Sequence, residues 1–87
     1  MGATAYLRWF QRRGMASRRH PRPGDLIVWG KNGVVHHIGI YMRGNRAISA
    51  LVNPWGVRTH RITGLATGAN NRHGLRVMAY LHVRITR

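Results

Sequence analysis

Cysteine is absent from the 87 residues. That removes disulfides, thiolate metal sites and any cysteine nucleophile within this sequence. Acid is nearly absent as well: Asp25 stands alone against 15 Lys+Arg, a formal charge of +14. Salt bridges within the chain therefore satisfy very few of its cations, and self-repulsion costs stability at low salt. No apolar run approaches the roughly 20 residues that span a bilayer, so no membrane span is expected. The N-terminus lacks the charged, apolar, small order of a signal peptide. There is no internal repeat, and the glycines of Gly30–Gly33 and Gly64–Gly74 lack the strand–loop–helix setting of a phosphate loop.

What is present fits one small domain spanning residues 1–87. The apolar fraction, 44%, supports a modest core and argues against wholesale disorder. All the cations except Lys31 are arginines, spread from Arg8 to Arg87 without a concentrated tail. Such a surface attracts polyanions, whether nucleic acid, acidic lipid or anionic cell-wall polymer, and is equally a plain solvated surface.

Taken in order, the chain opens with a helix over residues 4–13. Ala3, Tyr6, Leu7 and Phe10 form its apolar stripe, widened by Trp9, with Thr4 as N-cap and Gly14 as the closing glycine. Met15–Pro23 reads as a basic connector in which Pro21 and Pro23 end any helix. Leu26–Trp29 is a short apolar strand, Gly30–Gly33 a reversal, and Val34–Met42 a longer strand. Arg43-Gly44-Asn45 turns the chain into a third strand, Arg46–Val52, and Asn53–Gly56 into a short segment, Val57–Ile62. Thr63–Gly74 reads as a loop. The last strand, Leu75–Ile85, alternates, with Val77, Ala79 and Leu81 on one side. The expected class is α+β: an N-terminal helix packed on an antiparallel sheet of about five strands within residues 24–85.

Alternation along the second strand places His37, Gly39 and Tyr41 on one face and His36, Ile38, Ile40 and Met42 on the other. A glycine in mid-strand weakens a sheet unless something approaches closely. The N-terminal helix is the expected visitor, lying over Gly39 beside the His37 imidazole. A helix start beside a strand histidine suits a nucleophile–base pair.

The pattern Pro23-Gly24-Asp25-Leu26, followed by His37-Ile38-Gly39-Ile40-Tyr41, resembles the NlpC/P60 family of papain-like cysteine peptidases. Ile48-Ser49-Ala50-Leu51-Val52-Asn53-Pro54 with Gly56-Val57-Arg58, and the strand around Tyr80-Leu81, resemble forms found in actinobacterial and phage cell-wall hydrolases. The resemblance implies a papain-like core in which a helix-borne Cys attacks an amide bond in peptidoglycan stem peptides. The strand histidine is its base, and a polar residue on the next strand orients the ring. Residue by residue, His37 matches the base and Ser49, twelve positions on, matches the orienter. Tyr41, Gly39 and Trp55 are the substrate-cleft candidates, with ordinary packing the competing reading for both aromatics. The family works outside the cytoplasm or with phages, and no cofactor is implied.

Hairpin geometry bears on Ser49. A two-residue turn at Gly44-Asn45 pairs His37 with Val52 and sends Ser49 to the opposite face. A three-residue turn, Arg43–Asn45, pairs Gly39 with Ser49 and keeps Ser49 diagonal to His37 on one face. The orienting role needs the second.

The departure from the family is the nucleophile, whose place falls around Met1–Thr4, where there is no Cys. A degenerate domain, an N-terminally truncated one or a replaced Cys would each account for it. The expected activity is thus that of a peptidase-like domain, inactive as written, which would hydrolyse stem-peptide amides if a Cys were supplied. The alternative is a non-catalytic basic module for nucleic acid or anionic cell-wall polymer. No metal site is expected. His36 and His37 point to opposite faces, and His20, His60, His73 and His82 read as loop or solvent-face residues without ligand spacing. Asp25 reads as a turn former, with an arginine as its alternative partner.

Overall fold

The computed structural model describes residues 2–51, 56–62 and 75–83. Among them is one helix, α1 (Ala3–Arg12), followed by β1 (Ala16–Ser17), β2 (Leu26–Lys31), β3 (Val34–Met42), β4 (Arg46–Leu51), β5 (Gly56–Arg61) and β6 (Arg76–Leu81). The strands form one sheet in the order β1-β6-β2-β3-β4-β5, with every neighbouring pair antiparallel. This corrects the expected α+β class with about five strands. The described residues carry six strands and a single ten-residue helix, so sheet dominates. The added strand is β1, which lies in the stretch read as a connector. Ala16 and Ser17 pair with Leu81 and Tyr80. None of the described helices is long and apolar enough to cross a membrane.

Two turns set the register. Asn32 and Gly33 both take positive φ, +53° and +75°, the geometry of a two-residue hairpin whose twist matches that of its strands. Between β3 and β4 the turn has three residues, since Met42 pairs with Arg46 and Ile40 with Ile48. Extending that register pairs Gly39 with Ser49, the second of the two hairpin arrangements.

α1 packs on one face. Leu7 and Phe10 are buried against Val28, Val35, Ala79 and Leu81, with Leu26, Ile38 and Met78 partly buried around them. Burying each of the two helix side chains contributes about 1.5–3 kcal/mol. The helix ends as a Schellman motif: the Gly14 amide donates to the Gln11 carbonyl at 3.1 Å and the Met15 amide to Phe10 at 3.0 Å. Its start differs from expectation. Gly2, not Thr4, is the N-cap residue, and no side chain caps it. The Thr4 hydroxyl instead accepts the Val35 amide at 3.1 Å, tying the helix start to β3.

The opposite face has its own core of Ile27, Trp29, Ala47, Ile62 and Leu75, flanked by Tyr41, Val77 and Tyr80. Trp29 is fully buried, and its indole N–H donates to the Ile62 carbonyl at 3.2 Å. Both strands that flank β2 are irregular. Trp29 pairs with His37 but Gly30 with Val35, so His36 is an extra residue in β3. Likewise Val28 pairs with Ala79 but Trp29 with Val77, leaving Met78 as the extra residue in β6. The bulge at Met78 overturns the simple alternation expected for the last strand. Ala79 and Leu81 face the helix, whereas Val77 packs with Trp29.

Candidate active site

The bulge at His36 decides where the His37 imidazole goes. It turns Val35 towards the helix while His37 stays on the Trp29 face. The ring centroids of His37 and Trp29 lie 5.4 Å apart. The expectation that α1 covers Gly39 beside His37 is therefore corrected: helix and imidazole are on opposite faces, and the helix start is bound at Val35.

Something else occupies the space above Gly39. A Cβ built there would lie 2.5 Å from Ser49 Oγ, 2.9 Å from the Ile48 carbonyl oxygen and 2.9 Å from the Trp29 ring. The glycine is needed because the neighbouring strand's serine and the tryptophan close over it.

Ser49 is buried, and its Oγ lies 2.7 Å from His60 Nε2. The other ring nitrogen, Nδ1, is 2.7 Å from the Arg61 carbonyl oxygen. A carbonyl can only accept, so Nδ1 carries the proton, and Nε2 of the neutral ring accepts from the serine hydroxyl. The structure thus supplies a hydroxyl–imidazole pair that the sequence reading missed, having placed His60 on a solvent face. The pairing of Ala47 with His60 and Ser49 with Arg58 brings them together. No spacing along the sequence marks this pair, because the β4–β5 register sets it.

His37 is the electrostatic centre. Its Nε2 is buried and has no hydrogen-bond partner among the described residues. Burial first, and the nearby His60 second, lower its pKa below the usual 6.5, so the ring is held as a neutral base. Ser49 thus shares a face with His37 but is hydrogen-bonded to His60 instead. Tyr41 lies half-buried in the apolar cluster, edge-on to Tyr80 with centroids 6.2 Å apart. Burial, and then Tyr41, raise the Tyr80 pKa above 10.0. Trp55 lies outside the described residues.

Two further expectations change. The Asp25 carboxylate accepts the Arg22 amide at 2.8 Å, as a turn former does, but its side-chain partner is His82 rather than an arginine. His82 in turn is half-buried within a hydrogen-bonded set, not a free solvent-face residue. Among the described residues no three metal-ligand side chains converge. The described arginines are all exposed and lie on the helix, the turns and three strands, not along one groove.

Imidazoles, hydroxyls and one carboxylate set on an antiparallel sheet are the equipment of acyl and amide chemistry. The NlpC/P60 family model matches residues 3–73, and the chain belongs to that family, whose members are peptidoglycan-hydrolase-like. The match includes the Asp25 turn, His37 and Ser49, and ends ahead of β6. No curated protein and no solved structure is similar enough to the chain to count as a match.

Proposed function

We propose that this chain engages peptidoglycan stem peptides on the His37 face of its sheet and, having no cysteine, holds them without cleaving them by a thiolate route. The observation that carries the reading is the buried Nε2 of His37, a neutral base with no partner among the described residues. A buried acceptor left unpaired costs about 1–3 kcal/mol, a cost that a ligand N–H would offset on binding. His37 is the general base of this reading. Ser49 and His60 form the polar pair beside it, and Gly39 lets them close in. A thiolate brought to that same face would complete amide hydrolysis, with His37 taking the thiol proton and returning it to the leaving amine.

The test is an NMR titration of the intact protein with purified muropeptides, alongside mass spectrometry of soluble products from purified sacculi. The expected result is a saturable shift of the His37 ring signals, weaker binding by His37→Ala when the same titration is followed on backbone amides, and muropeptide release no higher than in a protein-free blank. An unmoved His37 at saturating ligand, or stem-peptide release by the unaltered chain, would overturn the reading.

A further inference from the structure

Three side chains from three separate segments meet at one edge of the sheet. Ser17 lies on β1, Asp25 in the turn before β2 and His82 just beyond β6. Backbone pairing fixes their neighbourhood: Ser17 opposes Tyr80, and the His82 amide donates to the Met15 carbonyl at 2.8 Å. Asp25 Oδ2 lies 2.8 Å from His82 Nδ1, and His82 Nε2 lies 2.8 Å from Ser17 Oγ. An ionised carboxylate can only accept, so Nδ1 carries a proton, and in the neutral ring Nε2 turns its lone pair to the serine hydroxyl. The same Oδ2 also accepts the Arg22 amide, which holds the buried carboxylate in place.

This is the carboxylate–imidazole–hydroxyl order in which a serine gives up its proton to a correctly oriented base. The hydroxyl has a second acceptor, the Arg19 carbonyl at 2.8 Å. Two acceptors thus compete for one proton, and rotation about the Cβ–Oγ bond directs it to His82. A purely structural clamp would not need an open approach to the serine. Ser17 is half-exposed at the sheet's edge, and the residue borders a cleft of about 700 Å³ together with Leu7, Gln11, Arg18 and Met78. Because β1 is two residues long and pairs with Tyr80 and Leu81, the rest of β6 borders that cleft. Arg18 and Arg76 line it and make it positive, which favours both an anionic substrate and a developing oxyanion.

We propose that Ser17, His82 and Asp25 are a nucleophilic triad that hydrolyses acyl esters carrying a negative charge, at a site separate from His37. Ser17 Oγ forms a bond to the ester carbonyl carbon as its proton passes to His82 Nε2. The carbon–oxygen bond to the alcohol breaks, and the alcohol oxygen takes that proton. Water then attacks the acyl-serine, giving a proton to Nε2. The serine leaves with it, and the carboxylic acid is released.

The experiment treats the intact protein with diisopropyl fluorophosphate and locates the adduct by mass spectrometry, with folding checked by circular dichroism. The expected result is a single adduct on Ser17, absent in Ser17→Ala and formed about 100-fold or more slowly in His82→Gln, the scale of a lost general base. Asp25→Asn should slow it as well; because Asp25 is buried, the half-exposed His82 variant decides the matter if the asparagine variant melts. A folded wild-type protein with no Ser17 adduct, or an adduct that forms equally fast in His82→Gln, would overturn the proposal. The adduct reports on Ser17 alone, so its absence would leave the reading of the His37 face standing.

Discussion

Replacing Gly39 by alanine tests the architecture of the His37 face directly. The added methyl would meet Ser49 Oγ at 2.5 Å, the Ile48 carbonyl at 2.9 Å and the Trp29 ring at 2.9 Å, all closer than a real Cβ tolerates. One of these neighbours is backbone and another a fully buried indole tied to the Ile62 carbonyl, so little of the crowding can be relieved by side-chain rotation. Overpacking of this kind costs about 1–3 kcal/mol. For a domain of this size, about 2 kcal/mol lowers Tm by roughly 8–16 °C. Thermal melts of Gly39→Ala, Ser49→Ala and the double variant give the assay. Ser49→Ala alone should lose about 1 kcal/mol with its hydrogen bond to His60. In the double variant the nearest clash is gone, so its loss should fall short of the sum by about 1 kcal/mol. A Gly39→Ala protein that melts within ~2 °C of the parent would refute the claim that serine and tryptophan fill this space. Strict additivity in the cycle would refute the contact with Ser49.

The His37 ring should titrate below 6.5 in the folded protein, read from its NMR shifts, because burial and His60 disfavour its charge. In that window the unfolded chain binds more protons, so this group's contribution to stability is present above about 6.5 and is lost as pH falls through the lowered folded-state value. Denaturant melts of His37→Gln should show a flatter dependence across the same range; an unchanged slope would remove His37 as its source. Placing a cysteine at the helix start, Ala3→Cys, should give no muropeptide release from sacculi. Thr4 anchors that end of α1 at Val35, on the face away from the His37 ring. Release above the parent level would show that the helix start does reach His37.

Much of this was legible from local chemistry. The helix limits and the strands carrying Leu26–Trp29 and Val34–Met42 follow from apolar period and turn residues. The turn at Arg43–Asn45 was open between two and three residues until the strand pairing fixed it at three. The helix face was not legible. It depends on one extra residue at His36, and a bulge leaves no mark in a run such as Val34-Val35-His36-His37. His60 was hidden for a related reason. Its link to Ser49 requires the β4–β5 register, which no single strand encodes. The set of Ser17, Asp25 and His82 comes from segments up to 65 positions apart. It becomes visible once β6 is known to lie beside β1.

That placement governs how the protein is made. β6 sits between β1 and β2 although it is the last of the six strands to be synthesised. Until residues 76–81 have left the ribosome, β1 has no partner and the apolar strand β2 presents a bare edge open to other chains. The β2–β3 hairpin closes early through local contacts. The step that completes the sheet is a long-range insertion with high contact order, which is slow relative to hairpin closure. Expression yield should therefore depend less on the finished protein's stability than on how long that edge waits, and a holdase chaperone supplied during translation should raise it.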